Sequence, residues 1–265
     1  MIELPTTVRK ASRTSPSTLL LYSAHKRGKT TILTALTTQF AKEGKGLVVE
    51  FEPGGADFND GVVLQINNVP ELLEFIAAVK AADYPYDYIA FDTLTKLDEW
   101  SEYAGTFKYM DKPQGKKHNV VDGVRIRNSK HPNFETVHEI PNGFGYRYSR
   151  EVMIDWYEQL RALAPHTIFT AHTKDTKVET KSGDVVDSQD ISLTGRVKSI
   201  LSTRVDAVGR LIVEGDDRYI SFNANSKAEG GRCPHLEGNI LISSKNEDNT
   251  ITTYWQNIYI NEINK

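Results

Sequence analysis

Lys29 and Thr30, directly after Gly28, are the residues whose types and spacing first suggest chemistry. They belong to Ser23-Ala24-His25-Lys26-Arg27-Gly28-Lys29-Thr30-Thr31, which follows the phosphate-loop pattern G-x-x-x-x-G-K-[ST] except that Ser23 stands at the first glycine. In such a loop, successive backbone N–H groups and a helix N-terminus converge on phosphate oxygens. The lysine bridges the terminal phosphates, and the hydroxyl holds Mg²⁺. The first glycine mainly lets the chain leave a strand sharply, and serine can replace it where φ is negative. Residues 23–31 are therefore candidates for binding ATP, with Mg²⁺ on Thr30. The competing explanation is an ordinary Lys-Thr-Thr helix start after a tight glycine turn.

Three further residues complete a reaction centre of this kind. Asp92 ends the apolar run "YIAFD" and is the candidate acid for the metal's water shell; its structural alternative is an N-cap for a helix starting near Thr95. Glu52, before Pro53-Gly54-Gly55, is the preferred general base for an attacking water, with Glu50 as competitor. His172 ends "TIFTAH", where an imidazole can bond a γ-phosphate or the water, although such histidines are often structural. His25 is assigned no chemistry of its own. His118, His131 and His138, near Glu135 and Glu139, fit no metal-binding spacing.

The elements that must position these groups alternate between strand and helix. Strands are expected at 18–22, 47–51, 62–66, 86–92 and 166–172. Helices are expected at 30–42, 69–82 and 149–164, the last with Ser149 as N-cap. This alternation predicts an α/β fold with a mostly parallel central sheet and helices on both faces. After residue 204 the texture becomes β-rich around Gly215-Asp216-Asp217, predicting an antiparallel hairpin near the C-terminal end. Expected boundaries are a flexible arm over 1–16, an ATPase domain over 17–235 with a long loop insertion at 105–148, and a C-terminal extension over 236–265. "TITTYWQNIYINEI" within that extension reads equally as helix or strand. Residues 175–190 form a second irregular segment, and such loops are often functional.

Composition excludes several classes. Among 265 residues, a net charge of -3 argues against a globally basic nucleic-acid coat, so any such binding must be local. The single cysteine, Cys233, excludes an internal disulfide and fits a reducing compartment. Neither a signal-like h-region nor an apolar run of membrane-spanning length is present, so the expected location is cytoplasmic, without membrane contact. Residues 101–150 depart from the average, their nine basic and five acidic residues giving +4. Phe107, Tyr109, Phe134, Phe144, Tyr146 and Tyr148 are interleaved with them. Phosphate-neutralising charge beside aromatic faces suits a single strand, because stacking tolerates any base. A solvated loop anchored by its aromatics is the plainer alternative.

The order "GKTT", "VVEFEPGGAD", "YDYIAFDTLTKL", "GFGYRYSREV", "TIFTAHTKD", "ISLTGRVKSIL", "VDAVGRL" resembles the phage-encoded RecA-like P-loop ATPases, including those grouped with single-strand annealing proteins. The resemblance covers most of residues 18–235. It implies a RecA-like core with ATP at the carboxyl edge of the sheet, Glu52 as catalytic glutamate, Asp92 as the Mg²⁺-associated acid and His172 as γ-phosphate sensor. It also implies DNA-binding loops after the strands ending at Asp92 and His172, where the two irregular segments lie, with Lys174, Lys177 and Lys181 in the second. Ser23, His172 and the length of the first loop depart from the bacterial RecA pattern. The expected function is thus ATP binding and hydrolysis on single-stranded DNA in recombination, annealing or replication. The expected partners are further copies of the chain and a single-strand DNA-binding protein, and the location is host cytoplasm if the protein is phage-encoded. Lys227 and Arg232 are candidates for a cation supplied across a subunit interface. The rival from another class is a nucleotide-gated protein-interaction switch without DNA binding; a phosphotransferase is a weaker one.

Overall fold

The computed structural model describes residues 10–113, 115, 119–121, 125–127, 136–179, 185–223 and 229–260. The chain opens with β1 (Thr18–Ser23), α1 (Lys29–Ala35), a π-helical turn (Leu36–Phe40), β2 (Gly46–Glu50), β3 (Val63–Gln65), α2 (Val69–Ala81) and β4 (Tyr88–Asp92). It continues through α3 (Leu94–Met110), the short pair β5 (Asn119–Val121) and β6 (Arg125–Arg127), α4 (Tyr146–Arg161), β7 (His166–Glu179), β8 (Val185–Ile191) and α5 (Val197–Arg204). Last come β9 (Ala207–Glu214), β10 (Asp217–Ser221), β11 (Gly230–Gly231), β12 (Asn239–Lys245), β13 (Ile251–Thr253) and a 3-10 turn (Trp255–Asn257).

One sheet organises these elements, in the order β13-β12-β10-β9-β1-β7-β4-β2-β3. Its centre, from β9 to β3, is parallel, and β10, β12 and β13 extend it antiparallel. The expected hairpin is β9–β10. Beyond residue 235 the chain continues the same sheet, and Trp255 and Tyr259 are fully buried beneath it.

The central strands read as continuous apolar runs because both faces are covered. In β1, Leu20 and Tyr22 face a core built with Leu72, Leu97, Leu160 and Leu201 of α2, α3, α4 and α5. Leu19 and Leu21 face the other way, onto Ile32 and Leu33 of α1 together with Trp255 and Tyr259. The period-two alternation of a strand thus serves two cores at once. Each of these leucines contributes about 1.5–3 kcal/mol by leaving water. Trp255 also donates its indole N–H to the Ile32 carbonyl (2.9 Å), which ties α1 to the C-terminal segment.

Several sequence expectations are corrected. The first irregular segment is shorter than 105–148, because α3 runs to Met110 and α4 starts at Tyr146. Gly105 lets the two helices touch; a Cβ there would lie 2.6 Å from the Ser149 nitrogen. Ser149 is not an N-cap but a buried residue within α4, its hydroxyl bonded to the Tyr146 carbonyl (3.3 Å) and facing His138 Nε2 (2.7 Å). Packing of Tyr148 against Tyr109 and Val137 carries the helix past the local capping signal. Residues 175–179 and 185–190 pair as a ribbon rather than a loop, since β7 outruns the sheet and pairs with β8, placing Lys174 opposite Asp190 and Lys177 opposite Asp187. The first helix becomes a π-helical turn at Leu36 and ends at Phe40.

Candidate functional site

β1 lies between β7 and β9, while the chain leaving it passes through α1 to β2, beyond β7 and β4. Such reversals open a crevice at the carboxyl edge of a parallel sheet. The register fills that edge with the expected groups: Ser23 lies beside His172, and Glu50 beside Asp92. Of these, His172, Glu50 and Asp92 line one cleft of about 600 Å³ together with His25, Lys29, Thr30, Glu52 and Arg218.

The loop itself explains the serine. Ser23 is the last residue of β1 and has no left-handed backbone; the tight turning falls to Lys26 (φ 58°) and Gly28 (φ 90°). The missing first glycine therefore carries no backbone strain. Its hydroxyl also finds a use, because the buried Lys29 ammonium donates to Ser23 O (3.0 Å), Ser23 Oγ (3.2 Å) and Ala24 O (3.1 Å). Burial pulls the Lys29 pKa down, and Asp92 and Glu52 oppose that shift. Of the remaining loop residues, His25, Lys26 and Arg27 are exposed, while Ala24, Thr30 and Thr31 are half-buried.

Asp92 is buried at the tip of β4 and accepts two hydroxyl bonds, from Thr30 Oγ1 to Oδ2 (2.7 Å) and from Thr170 Oγ1 to Oδ1. It does not cap α3; Thr93 does, accepting from the Lys96 N–H (3.4 Å). Neighbouring hydroxyl and carboxylate oxygens form the hard donor set that suits Mg²⁺. Thr30 and Asp92 are thus the residues that would hold the ion and its water.

Glu52 follows β2 and is partly exposed. Its carboxylate accepts from Thr93 Oγ1 (3.0 Å) and faces His172 Nε2 at 3.1 Å from both oxygens. The bond from His172 is the main cause of a lowered Glu52 pKa, which keeps this carboxylate ionised. The same contact places the imidazole proton on Nε2. His172 Nδ1 is buried without a hydrogen-bond partner, and the backbone N–H of His172 donates to Thr95 Oγ1 (3.0 Å). His25 stacks on His172 with ring centres 3.8 Å apart, and its pKa is lowered first by that neighbour and then by burial. Glu50 differs from Glu52: its burial, reinforced by Asp92, raises its carboxyl to about 7.

A model of the AAA domain family matches residues 15–233. The chain belongs to the AAA domain family. Membership accounts for the loop, the strand-end acid and the cleft together, and it implies nucleotide binding and hydrolysis. A solved KaiC-like protein from the hyperthermophilic archaeon Pyrococcus horikoshii OT3 aligns over 90% of this AAA-domain chain and 89% of its own, at 14% identity and a TM-score of 0.45. The comparison with curated proteins finds no match. None of the helices among the described residues is long and apolar enough to cross a membrane.

Of the residues expected from the sequence, His25, Lys26, Gly28, Lys29, Thr30, Thr31, Glu50, Glu52, Asp92 and His172 line the cleft, and Ser23, Ala24 and Arg27 do not. The structure adds Thr93 and Arg218 to the lining, with Thr95 and Thr170 bonded to His172 and Asp92. Thr170 carried a signal, standing two residues before His172 on the same strand and hence on the same face. Arg218 carried none, because it arrives from a distant hairpin. Arg232 lies elsewhere, donating to Thr203 O (2.8 Å) beside Asp206 at the amino end of β9. Lys116, Lys117, His118, Lys130, His131, Phe134, Lys181 and Lys227 fall outside the described residues. In the basic segment, Lys108 and Arg147 both pair with Glu151 (2.9 and 2.7 Å), and Tyr109 and Tyr148 are buried. Phe107, Phe144 and Tyr146 remain exposed, as does Tyr103, one helical turn before Phe107. His138 is enclosed by Glu102, Ser149 and the Tyr146 ring.

Proposed function

We propose that this AAA-domain protein binds MgATP in the cleft and hydrolyses its γ-phosphate. The observation that carries this reading is the convergence of Lys29, Thr30, Asp92, Glu52 and His172, from five positions along the chain, on one crevice at the carboxyl edge of the sheet. Backbone N–H groups of residues 24–31 cradle the phosphates, and Lys29 exchanges its contacts on Ser23 and Ala24 for phosphate oxygens. Bound Mg²⁺ neutralises charge on the phosphate chain. Glu52, ionised and oriented by Thr93 and His172, accepts the proton of the attacking water. His172 ends the part of β7 that lies beside β1, so its contacts couple the cleft to the β7–β8 ribbon.

The reading extends to single-stranded DNA, engaged by residues 101–150 during phage recombination, annealing or replication. Its supports are the +4 charge of that segment, the exposed pair Tyr103 and Phe107 on α3, and the order of motifs. Action as an oligomer, with a single-strand DNA-binding protein as partner, belongs to the same proposal. The burial of Tyr109 and Tyr148, with Lys108 and Arg147 tied to Glu151, favours the second reading, a nucleotide-gated surface for a protein partner. ATP turnover with and without single-stranded DNA, at two salt concentrations, separates them. Turnover is expected to fall at least a hundredfold in Lys29→Ala and to rise with DNA, less so at high salt. Lys29-dependent turnover indifferent to DNA would leave the cleft assignment standing and transfer the flank to the protein-partner reading.

A further inference from the structure

We propose that Arg218 is a phosphate ligand supplied by the same chain, its guanidinium binding the α/β part of a nucleoside di- or triphosphate seated on residues 24–31. This rests on the nucleotide reading of the cleft and adds a residue from outside its motifs.

Four observations carry it. Arg218 stands near the start of β10, opposite Val213 of β9, so the hairpin brings it to the carboxyl edge beside β1. The β10–β12 ladder shifts register between Arg218 and Tyr219, the kind of irregularity that re-aims a side chain next to a site. The guanidinium then lies against Gly28: a Cβ there would sit 2.5 Å from Arg218 Nε and 3.2 Å from Cζ. Finally, Nε is buried without a hydrogen-bond partner, and among the described residues Arg218 makes no ion pair. The nearby acids are already engaged, Asp92 by two threonines and Glu52 by Thr93 and His172.

The sheet order gives the arrangement its chemical sense. Asp92 and Glu50 belong to strands on one side of β1, with Glu52 just after one of them, and Arg218 belongs to the hairpin on the other. A phosphate chain above Gly28 would have its metal-side oxygens toward the acids and its remaining oxygens toward a planar cationic fork. Arginine presents paired N–H donors in the geometry that phosphate oxygens accept. Arg218 lies against the loop whose backbone N–H groups cradle the α/β-phosphates, while the lysine reaches the terminal ones. Arg232 is at the far end of β9, about 20 Å away along the strand from the residue opposite Arg218.

Calorimetric titration of wild type, Arg218→Ala, Arg218→Gln, Arg218→Lys and Lys29→Ala with ADP and ATP in the presence of Mg²⁺ tests this. The alanine and glutamine variants are expected to lose at least about tenfold in affinity for ADP and ATP alike, with lysine retaining part of it. Thermal melts check folding, and the glutamine and lysine variants carry the test if alanine does not fold. Wild-type affinities in the Arg218 variants, with Lys29→Ala impaired, would overturn the inference and leave the nucleotide site intact. A loss of turnover without any loss of ADP and ATP affinity would overturn it as well. Absence of nucleotide binding by the wild type would overturn the reading beneath it.

Discussion

The nucleotide cleft and the α3–α4 flank contain similar residue types and use them differently. In the cleft, the central charged side chains meet partners from other elements: Lys29 reaches back to β1, Asp92 takes hydroxyls from α1 and β7, and Glu52 meets His172. These groups are buried or half-buried, where hydrogen bonds to charge are strong and an unpaired group is costly. On the flank, Lys108 and Arg147 share Glu151 at the surface, where such pairs are worth about 0–1 kcal/mol. The aromatics there divide, Tyr109 and Tyr148 packing inward while Tyr103 and Phe107 point outward. The cleft therefore has one arrangement fixed by its contacts, whereas the flank has a fixed interior and an outer face that leaves Tyr103 and Phe107 exposed.

Loss of the proposed base should produce the largest effect and would sharpen the contrast most. Glu52→Gln is expected to lower the turnover number by about 10²–10⁴-fold while ATP affinity stays within a few-fold, because the proton acceptor is lost and the phosphate cradle is not. Glu50→Gln should cost much less. Single-turnover kinetics with both variants decides the matter, and wild-type turnover in Glu52→Gln would transfer the role of base to Glu50.

The flank predicts two smaller and separable effects. Tyr109 is buried and meets Tyr148 edge to face at 5.2 Å, so Tyr109→Ala should destabilise by about 3 kcal/mol in denaturant melts. Tyr103→Ala with Phe107→Ala should leave stability within about 1 kcal/mol and lower affinity for an oligonucleotide by about tenfold. A double variant that binds the oligonucleotide normally would make the outer face indifferent to DNA and break this half of the comparison.

The two regions also differ in how far the sequence exposed them. The cleft was legible because most of its residues stand at or just past strand ends, and a parallel sheet brings strand ends together whatever the loops do. Asp92, Glu52 and His172 follow from that rule, and Lys29 from the loop pattern that opens α1. Arg218 was illegible because its position depends on a register shift between two antiparallel strands, which no local pattern announces. On the flank, composition gave the right inventory and the wrong texture. Charge and aromatic counts do not say which face of a helix is buried, and Ser149 read as a cap only because the packing of Tyr148 was invisible. Residues 175–190 were read as loop because their polar alternation lacks an apolar face, while the pairing of 173–179 with 185–191 joins residues 6 to 18 positions apart.

The smallest effect concerns Glu50 and tests whether the cleft is as tightly coupled as its contacts imply. Its carboxyl titrates near 7 in the fold, above the ordinary glutamate value of 4.5, because burial and then Asp92 disfavour the charge. The native state therefore holds this proton more strongly than the unfolded chain does. The associated stability is full below about 4.5 and is lost as pH rises through about 7. Lowered values at Glu52 and His25 act in the opposite direction, removing stability as pH falls, so the wild-type profile alone is ambiguous. The difference between Glu50→Gln and wild type isolates the Glu50 contribution, since glutamine keeps the shape and never ionises. In chelator and without nucleotide, the variant's melting temperature should gain on the wild type by a few degrees between pH 4.5 and 8. A difference independent of pH would mean that Glu50 ionises as freely as a surface carboxylate, and that the crowding of acids beside Thr30 and Asp92 is looser than the contacts of the cleft imply.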